Sequence, residues 1–294
     1  MKQKICFIGL GMMGYPMAAL LSKAGYPLWV ADADASRTSQ FTEAHQAQAL
    51  TLDASSFPAI DVVITMLPNS DIVEAVLVGT AGGGVLRHLK PGATVIDMSS
   101  SEPMRSRRLS ETLAAEDVRF IDAPVSGGMK RAIDGTLAIM VGGPKESYEA
   151  CSGILGVMGK TLFHVGDAGA GHAMKALNNY VSAAGLVAAA EALHVGERFG
   201  LDPAVMTDVL NASTGRNNTT ENKVKQYMLN GSFNSAFSLQ LMAKDLGIAM
   251  QLGKDLGFPM QLGDECLDIW SNAAGALDRV ADHTEMYRIL DREK

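Results

Sequence analysis

Apolar and polar positions along the chain follow two regimes, short buried runs that alternate with helical stretches up to about residue 165 and helical periods alone beyond it. Residues 4–8 read as a strand that runs into glycines at 9, 11 and 14. Met17-Ala18-Ala19-Leu20-Leu21 follows with helical spacing, and Tyr26 to Ala31 reads as a second strand ending at Asp32. The alternation continues through a polar helix at 36–47, a strand at 61–67 closing on Met66-Leu67-Pro68, and a short helix at 70–78. A glycine loop at 82–84 leads to strand 93–97, which ends at Met98-Ser99-Ser100. Helix 103–115, strand 119–122, the turn Ser126-Gly127-Gly128, and strands 136–141 and 161–165 around helix 145–158 complete the pattern. Such alternation predicts a parallel sheet with helices on both faces. Ligands bind outside the carboxyl ends of such strands, so the turns at 9–14, 32, 66–68, 99–100 and 126–128 should converge on one rim.

Beyond Val165 the strand pattern stops. Gly166, Gly169 and Gly171 open an Ala-rich stretch without proline that stays helix-compatible to Phe199. At 1.5 Å per residue it is on the order of 40 Å long, a spine joining two domains. Helices at 203–211, 219–229, 238–257, 260–274 and 282–291 follow, with Pro203 and Pro259 as start signals. The expected division is an α/β domain over 1–165 and an all-helical domain over 166–294. Residues 244–253 recur almost unchanged at 254–263, but Pro259 breaks the second copy. The two copies cannot share a helix face, and the repeat reads as local duplication.

Composition narrows the function. Of 294 residues, 47% are hydrophobic and 19% charged, enough for a sizeable core. The net charge of −7 argues against nucleic acid as partner. Residues 180–190 form the longest apolar stretch, too short to span a bilayer. Lys2 and Lys4 before apolar residues imitate an export signal, but the three glycines and Pro16 interrupt it. Cys6, Cys151 and Cys266 are widely spaced, with no metal-ligand pattern, and read as reduced core thiols of a cytoplasmic protein.

The glycines carry the first chemistry. Gly9-Leu10-Gly11-Met12-Met13-Gly14 sits between a strand and a helix, where Gly9 permits a tight turn and Gly11 lets a pyrophosphate approach the backbone. Gly14 lets the helix pack against the strand. Asp32 stands where a ribose 2′-hydroxyl is held, and its carboxylate repels a 2′-phosphate. Ala33-Asp34-Ala35 supplies no compensating arginine and Arg37 lies further on, which favours NAD over NADP. These features predict a doubly wound, Rossmann-type domain.

A second constellation is Gly169-x-Gly171-x₃-Lys175-x₃-Asn179. Lys175 and Asn179 share a helix face, and a positive helix start favours the neutral lysine that a general base requires. On spacing alone, a solvated lysine with a neighbouring amide is the plainer reading. With Asp122-Ala-Pro-Val-Ser126-Gly127-Gly128 and Phe237-x₆-Lys244-Asp245, however, the chain resembles the β-hydroxyacid dehydrogenase family, which includes 3-hydroxyisobutyrate dehydrogenase and tartronate semialdehyde reductase. The resemblance implies Lys175 as acid/base, Asn179 orienting the reacting oxygen, and Ser126, Gly127 and Gly128 clamping a substrate carboxylate. It further implies Lys244 at the junction of cofactor and substrate, and Ser99-Ser100 along the nicotinamide. The substrate would be a small hydroxy acid or semialdehyde, and the assembly a homodimer or homotetramer. The exposed apolar surface expected of Leu186, Val187, Leu193 and Val195 points the same way.

Met129-Lys130-Arg131 departs from the small or neutral residues usual after that clamp, and Arg216, Lys223 and Lys225 add further cations. These are either solvated charges or, for Arg131 or Arg216, contacts to a second anionic group on the substrate. Two other readings are an imine reductase of the same fold and a non-enzymatic NAD-binding regulator. The lysine at 175 argues against the first, and the lack of a basic tail or partner module against the second.

Overall fold

Ile5-Cys6-Phe7-Ile8 is buried at every position, as a strand covered on both faces must be. The computed structural model describes residues 2–52, 57–79, 84–278 and 280–291. Gly82 and Gly83 of the expected loop lie outside them. The described chain falls into two compact units, Met1–Lys175 and Ala176–Lys294, dividing inside the long helix.

In the first unit, β1 (Ile5–Ile8), β2 (Leu28–Ala31), β3 (Gln48–Ala49), β4 (Val62–Thr65), β5 (Thr94–Asp97) and β6 (Arg119–Asp122) lie in the order β3-β2-β1-β4-β5-β6, all parallel. This is the strand order of a doubly wound dinucleotide-binding sheet. Side chains alternate between the faces. Phe7, Ile64, Ile96 and Ile121 meet α1 (Gly14–Lys23) and α6 (Lys145–Met158), while Cys6, Val63, Val95 and Phe120 meet α3 (Ser70–Leu77) and α4 (Pro103–Ala114). The helix expected at 36–47 is α2 (Ala35–Ala44), which stops three residues before β3.

The sheet is not wholly parallel. β7 (Val125–Ser126) and β6 both run antiparallel to β8 (Leu137–Gly142). Only residues 127–136 separate β7 from β8, with α5 (Gly128–Asp134) among them, fewer than the dozen or so a parallel crossover requires. α6 is long enough, and β9 (Gly159–Gly166) returns parallel to β8. Asp122 pairs with Gly142, whereas Ser126 pairs with Ala138, four residues further along β8. At about 3.3 Å per residue, the Ser126 turn therefore stands roughly 13 Å past the rim where the parallel strands end.

α7 (Ala170–Phe199) is one helix of 30 residues, about 45 Å long, that begins in the first unit and continues into the second. The second unit adds α8 (Pro203–Asn211), α9 (Asn218–Asn222), α10 (Leu239–Asp255), α11 (Gln261–Ala276) and α12 (Met286–Leu290). The single helix expected at 219–229 is divided: an Asn217–Thr220 capping box starts α9, and a π-helical turn, Val224–Met228, follows. No strand follows β9 among the described residues. Leu186, Val187 and Leu193 are buried with Trp270, Leu239, Leu246 and Met286 in this unit's own core, which corrects their expected exposure. Val195 alone of the four is exposed.

A lysine and a histidine in this unit are held away from their ordinary state. Lys223 is not a solvated cation: burial pushes its ammonium down from 10.5 to about 8, against the pull of Asp282. Burial, then the charge of Lys223, lowers His283 from 6.5 to about 4, and its Nδ1 faces the Phe237 carbonyl at 3.0 Å. Between those pH values the unfolded chain binds a proton on this histidine that the folded chain does not. Stability is therefore present above pH 6.5 and declines as pH falls toward 4. The urea midpoint should fall less between pH 7 and 5 in His283→Phe than in the wild type, and equal falls would show that the imidazole carries none of the acid lability.

Candidate functional site

The fingerprint turn has one glycine for each physical demand. Gly9 has φ +101°, and a Cβ there would lie 2.3 Å from the Met66 carbonyl oxygen. A Cβ on Gly14 would lie 1.9 Å from the Gly9 carbonyl oxygen, so α1 can pack this close to β1 only as glycine. Gly11 is open, with the Arg37 guanidinium, 3.7 Å from a built Cβ, as the one heavy atom within reach. No side chain caps α1 at Met13. The turn thus offers free space and a helix start that no side chain caps where a pyrophosphate would sit, with Leu10 and Met12 beside it.

Asp32 ends β2 half-buried. Its Oδ2 accepts from the Leu10 N–H at 2.6 Å and its Oδ1 from the Asp34 N–H at 2.9 Å. A carboxylate has about four acceptor positions, so lone pairs remain for ribose hydroxyls. Arg37 reaches back over Gly11 from α2 and lies 3.6 Å from Asp34, nearer the turn than its sequence position suggests.

Next along the rim, the Leu67 N–H donates to Ser99 Oγ at 2.9 Å, linking the Met66-Leu67-Pro68 and Ser99-Ser100 turns. Ser99 is buried, leaving Ser100 as the half-exposed member of its pair. Beneath them lie two buried carboxylates that sequence reasoning left without a role. Asp97 accepts from Thr65 Oγ1, the Ser99 N–H and Ser101 Oγ at 2.8–3.0 Å. Asp122 accepts from the Gly169 and His172 N–H groups at 2.7 and 2.8 Å. The one signal in the sequence was an Asp ending each of two strands directly after a pair of apolar residues.

At the overhanging turn, Gly127 and Gly128 have φ of +133° and +68°, and nothing lies within 4 Å of a Cβ built on Gly128. The Arg131 side chain folds over Gly127, whose built Cβ would lie 2.5 Å from Arg131 Cδ. Arg131 stays exposed beside the turn. Two of the other cations are engaged elsewhere: Arg216 pairs with Glu221 at 2.8 Å and Lys225 with Asp208 at 2.6 Å.

Lys175 is the sixth residue of α7 and half-buried. It stands past the first turn, so the electrostatic help expected from the helix start is weaker there. Gly171 is fixed by packing, since a Cβ would lie 2.4 Å from the Met140 carbonyl oxygen. In the second unit, Asn179 is buried and donates through Nδ2 to Asp245 Oδ2 at 2.6 Å. Lys244 Nζ lies 3.8 Å from Asp245 Oδ1. Asp245 thus fixes the Asn179 amide and stands beside Lys244, a role its place in the motif did not reveal. Among the described residues, no cluster of His, Cys, Asp or Glu is suited to a metal ion.

Residues 4–166 match the family model of the NAD binding domain of 6-phosphogluconate dehydrogenase. Residues 169–290 match the family model described as "NAD-binding of NADP-dependent 3-hydroxyisobutyrate dehydrogenase". A 2-(hydroxymethyl)glutarate dehydrogenase of Eubacterium barkeri is 40% identical over 250 residues, covering 85% of this chain and 82% of that one. Mitochondrial 3-hydroxyisobutyrate dehydrogenase of Bos taurus is 38% identical over 254 residues, covering 84% and 75%. Among solved structures, 3-hydroxyisobutyrate dehydrogenase of Mycobacterium tuberculosis with L-serine superposes with a TM-score of 0.90 at 32% identity over 99% of each chain.

Proposed function

The chain belongs to the β-hydroxyacid dehydrogenase family, and from that premise we propose how its residues divide the work of an NAD-dependent oxidoreductase that interconverts a small 3-hydroxy acid and its semialdehyde. The observation that carries the cofactor assignment is the turn left open at Gly11, with Asp32 beside it. Bound NAD would supply the acceptor for the hydride of the carbinol carbon, and NADH the donor in the reverse direction. Gly9 to Gly14 hold the pyrophosphate, Asp32 the ribose, and the Met66-Leu67-Pro68 and Ser99-Ser100 turns shape the nicotinamide end. Lys175, in its neutral form, takes the hydroxyl proton during oxidation and gives it back during reduction. Asn179, its amide fixed by Asp245, donates to the reacting oxygen. Ser126 Oγ and the Gly127 and Gly128 N–H groups hold the substrate carboxylate, and Lys244 adds positive charge toward it. The test is an activity screen with NAD and with NADP over about twenty short hydroxy acids and semialdehydes. Turnover with NAD on a 3-hydroxy acid is expected, and no turnover on any of them would sink the reading.

Arg131 gives the substrate a second anionic end. The Eubacterium barkeri relative is named for a diacid, and Arg131 is exposed beside the clamp while Arg216 is engaged with Glu221. Arginine's planar fork suits a second carboxylate. Arg131→Ala should raise KM for a diacid about tenfold to a hundredfold, the worth of a charge-assisted hydrogen bond, with little change for a short monoacid. Equal effects on both substrates would make Arg131 a solvated charge.

A cytoplasmic setting is supported by three cysteines that are free and buried. No helix among the described residues is long and apolar enough to cross a membrane. The acidic balance of the chain suits a small-molecule partner, not nucleic acid. Association into a homodimer or homotetramer is supported by Val195, Phe199, Val205 and Val209, which are 58–84% exposed on α7 and α8. Light scattering at micromolar concentration should give a mass above one chain, and a monomer would refute the assembly.

A further inference from the structure

His172, the third residue of α7, has a fully buried side chain to which the mechanism above gives no part. Both ring nitrogens are engaged, Nδ1 with Ser106 Oγ at 2.8 Å and Nε2 with the Ser99 carbonyl oxygen at 3.1 Å. A carbonyl can only accept, so Nε2 carries the proton and Nδ1 accepts a hydrogen bond from the Ser106 hydroxyl. The buried carboxylates of Asp97 and Asp122 face the ring at 3.8 and 3.7 Å. Ser106 Oγ also lies 3.2 Å from the Glu102 carbonyl oxygen.

The ring therefore joins parts of the rim that the backbone leaves separate. Ser99 is held from two sides, its hydroxyl by the Leu67 N–H and its carbonyl by His172. The histidine's own N–H is held by Asp122 at the end of β6. Lys175 follows three residues later on the same rigid helix. We propose that His172 is a positioning residue, whose ring ties the cofactor-side turns at 66–68 and 99–100 to the helix carrying Lys175 and so sets where the lysine stands against the bound dinucleotide. The proposal rests on the reading of Lys175 as the acid/base. A displacement of about 1 Å at such a group costs on the order of a hundredfold in rate.

The experiment compares full-length wild type, His172→Leu, His172→Gln and Ser106→Ala. NADH affinity is read by fluorescence, kcat and KM with NAD and 3-hydroxyisobutyrate, and thermal unfolding as a control. A leucine fills the volume but leaves the Ser99 carbonyl without its ring partner and the Ser106 hydroxyl with Glu102 alone. His172→Leu is expected to lose about tenfold to a hundredfold in kcat per NADH-binding site and about tenfold in NADH affinity. KM for the hydroxy acid should move less than about threefold, because the carboxylate clamp is untouched. Glutamine can place an amide N–H near the position of Nε2, so His172→Gln should recover both losses to within about threefold. A merely structural histidine would lower the unfolding temperature and the number of binding sites while leaving kcat per site unchanged, and that result overturns the proposal. A glutamine variant as slow as the leucine variant overturns it as well. Should His172→Leu fail to fold, Ser106→Ala removes one ring hydrogen bond alone: a loss of about threefold to tenfold in kcat per site is expected, and an unchanged kcat is the negative result. If the wild type turns over no hydroxy acid, the proposed function fails by itself, and the NADH affinities of the variants still decide whether His172 ties the rim together.

Discussion

Lys175→Ala is expected to lower kcat by at least about a hundredfold while NADH still binds, the range for removal of a general acid/base. Alanine is the best helix former, so α7 should persist and the loss can be assigned to the amine. Lys175→Arg should not rescue activity. A guanidinium keeps its charge at any working pH, whereas the proposed step requires a group that can be neutral when the hydroxyl proton leaves. Steady-state rates with NAD, paired with NADH fluorescence titration of each variant, make the comparison. Near-normal turnover by the alanine variant would remove the mechanism. Full activity of the arginine variant would reduce the lysine to a fixed positive charge.

Gly11→Ala and Gly14→Ala should fail in opposite ways. A methyl at 14 meets the Gly9 carbonyl oxygen at 1.9 Å, so α1 must move off β1 and loosen Met17, Ala18 and Leu21 in the core. Overpacking of this kind costs about 2–3 kcal/mol, or roughly 4–12 °C in Tm for a chain of this size. A methyl at 11 meets no atom closer than Arg37 Nη1 at 3.7 Å. Gly11→Ala should therefore unfold like the wild type yet lose at least about tenfold in dinucleotide affinity, because the methyl occupies the face a pyrophosphate requires. Wild-type NADH affinity in Gly11→Ala would place the phosphates elsewhere.

The contrast between legible and illegible features follows from what each residue answers to. The fingerprint, the strand at 62–65 and the helices at 103–114 and 203–211 are set by local rules: glycine geometry, continuous burial, and proline at a helix start. The long helix was legible because nothing in 170–199 interrupts it. The reversal at β7 and β8 was not. It depends on the count of residues between two strands, one of them two residues long, and not on the character of either. The π turn at 224–228 follows a buried lysine whose depth only the tertiary fold decides. Likewise Leu186 and Leu193 look like an exposed stripe until α10 and α11 cover them. At the site, residue types with a known chemical use stood out, whereas Asp97, His172 and Asp245 did not. Their part is to hold other groups, and pairings 66 residues apart, such as His172 with Ser106 or Asn179 with Asp245, leave no local trace.

The three thiols sit in three different hydrophobic clusters: Cys151 with α1 and one face of the sheet, Cys6 on the other face, and Cys266 in the helical unit. Burial raises them to about 11, 12 and 11 respectively, so none should react while its surroundings stay closed. Each alkylation rate in the native protein is then a clock for the opening of one layer. Peptide mapping after timed exposure to a maleimide would read three separate opening free energies from one unmodified sequence. Added NADH should slow the clock at Cys6 and Cys151, whose layers carry the fingerprint strand and its helix. Cys266 would report how much of that stiffening reaches the far end of α7.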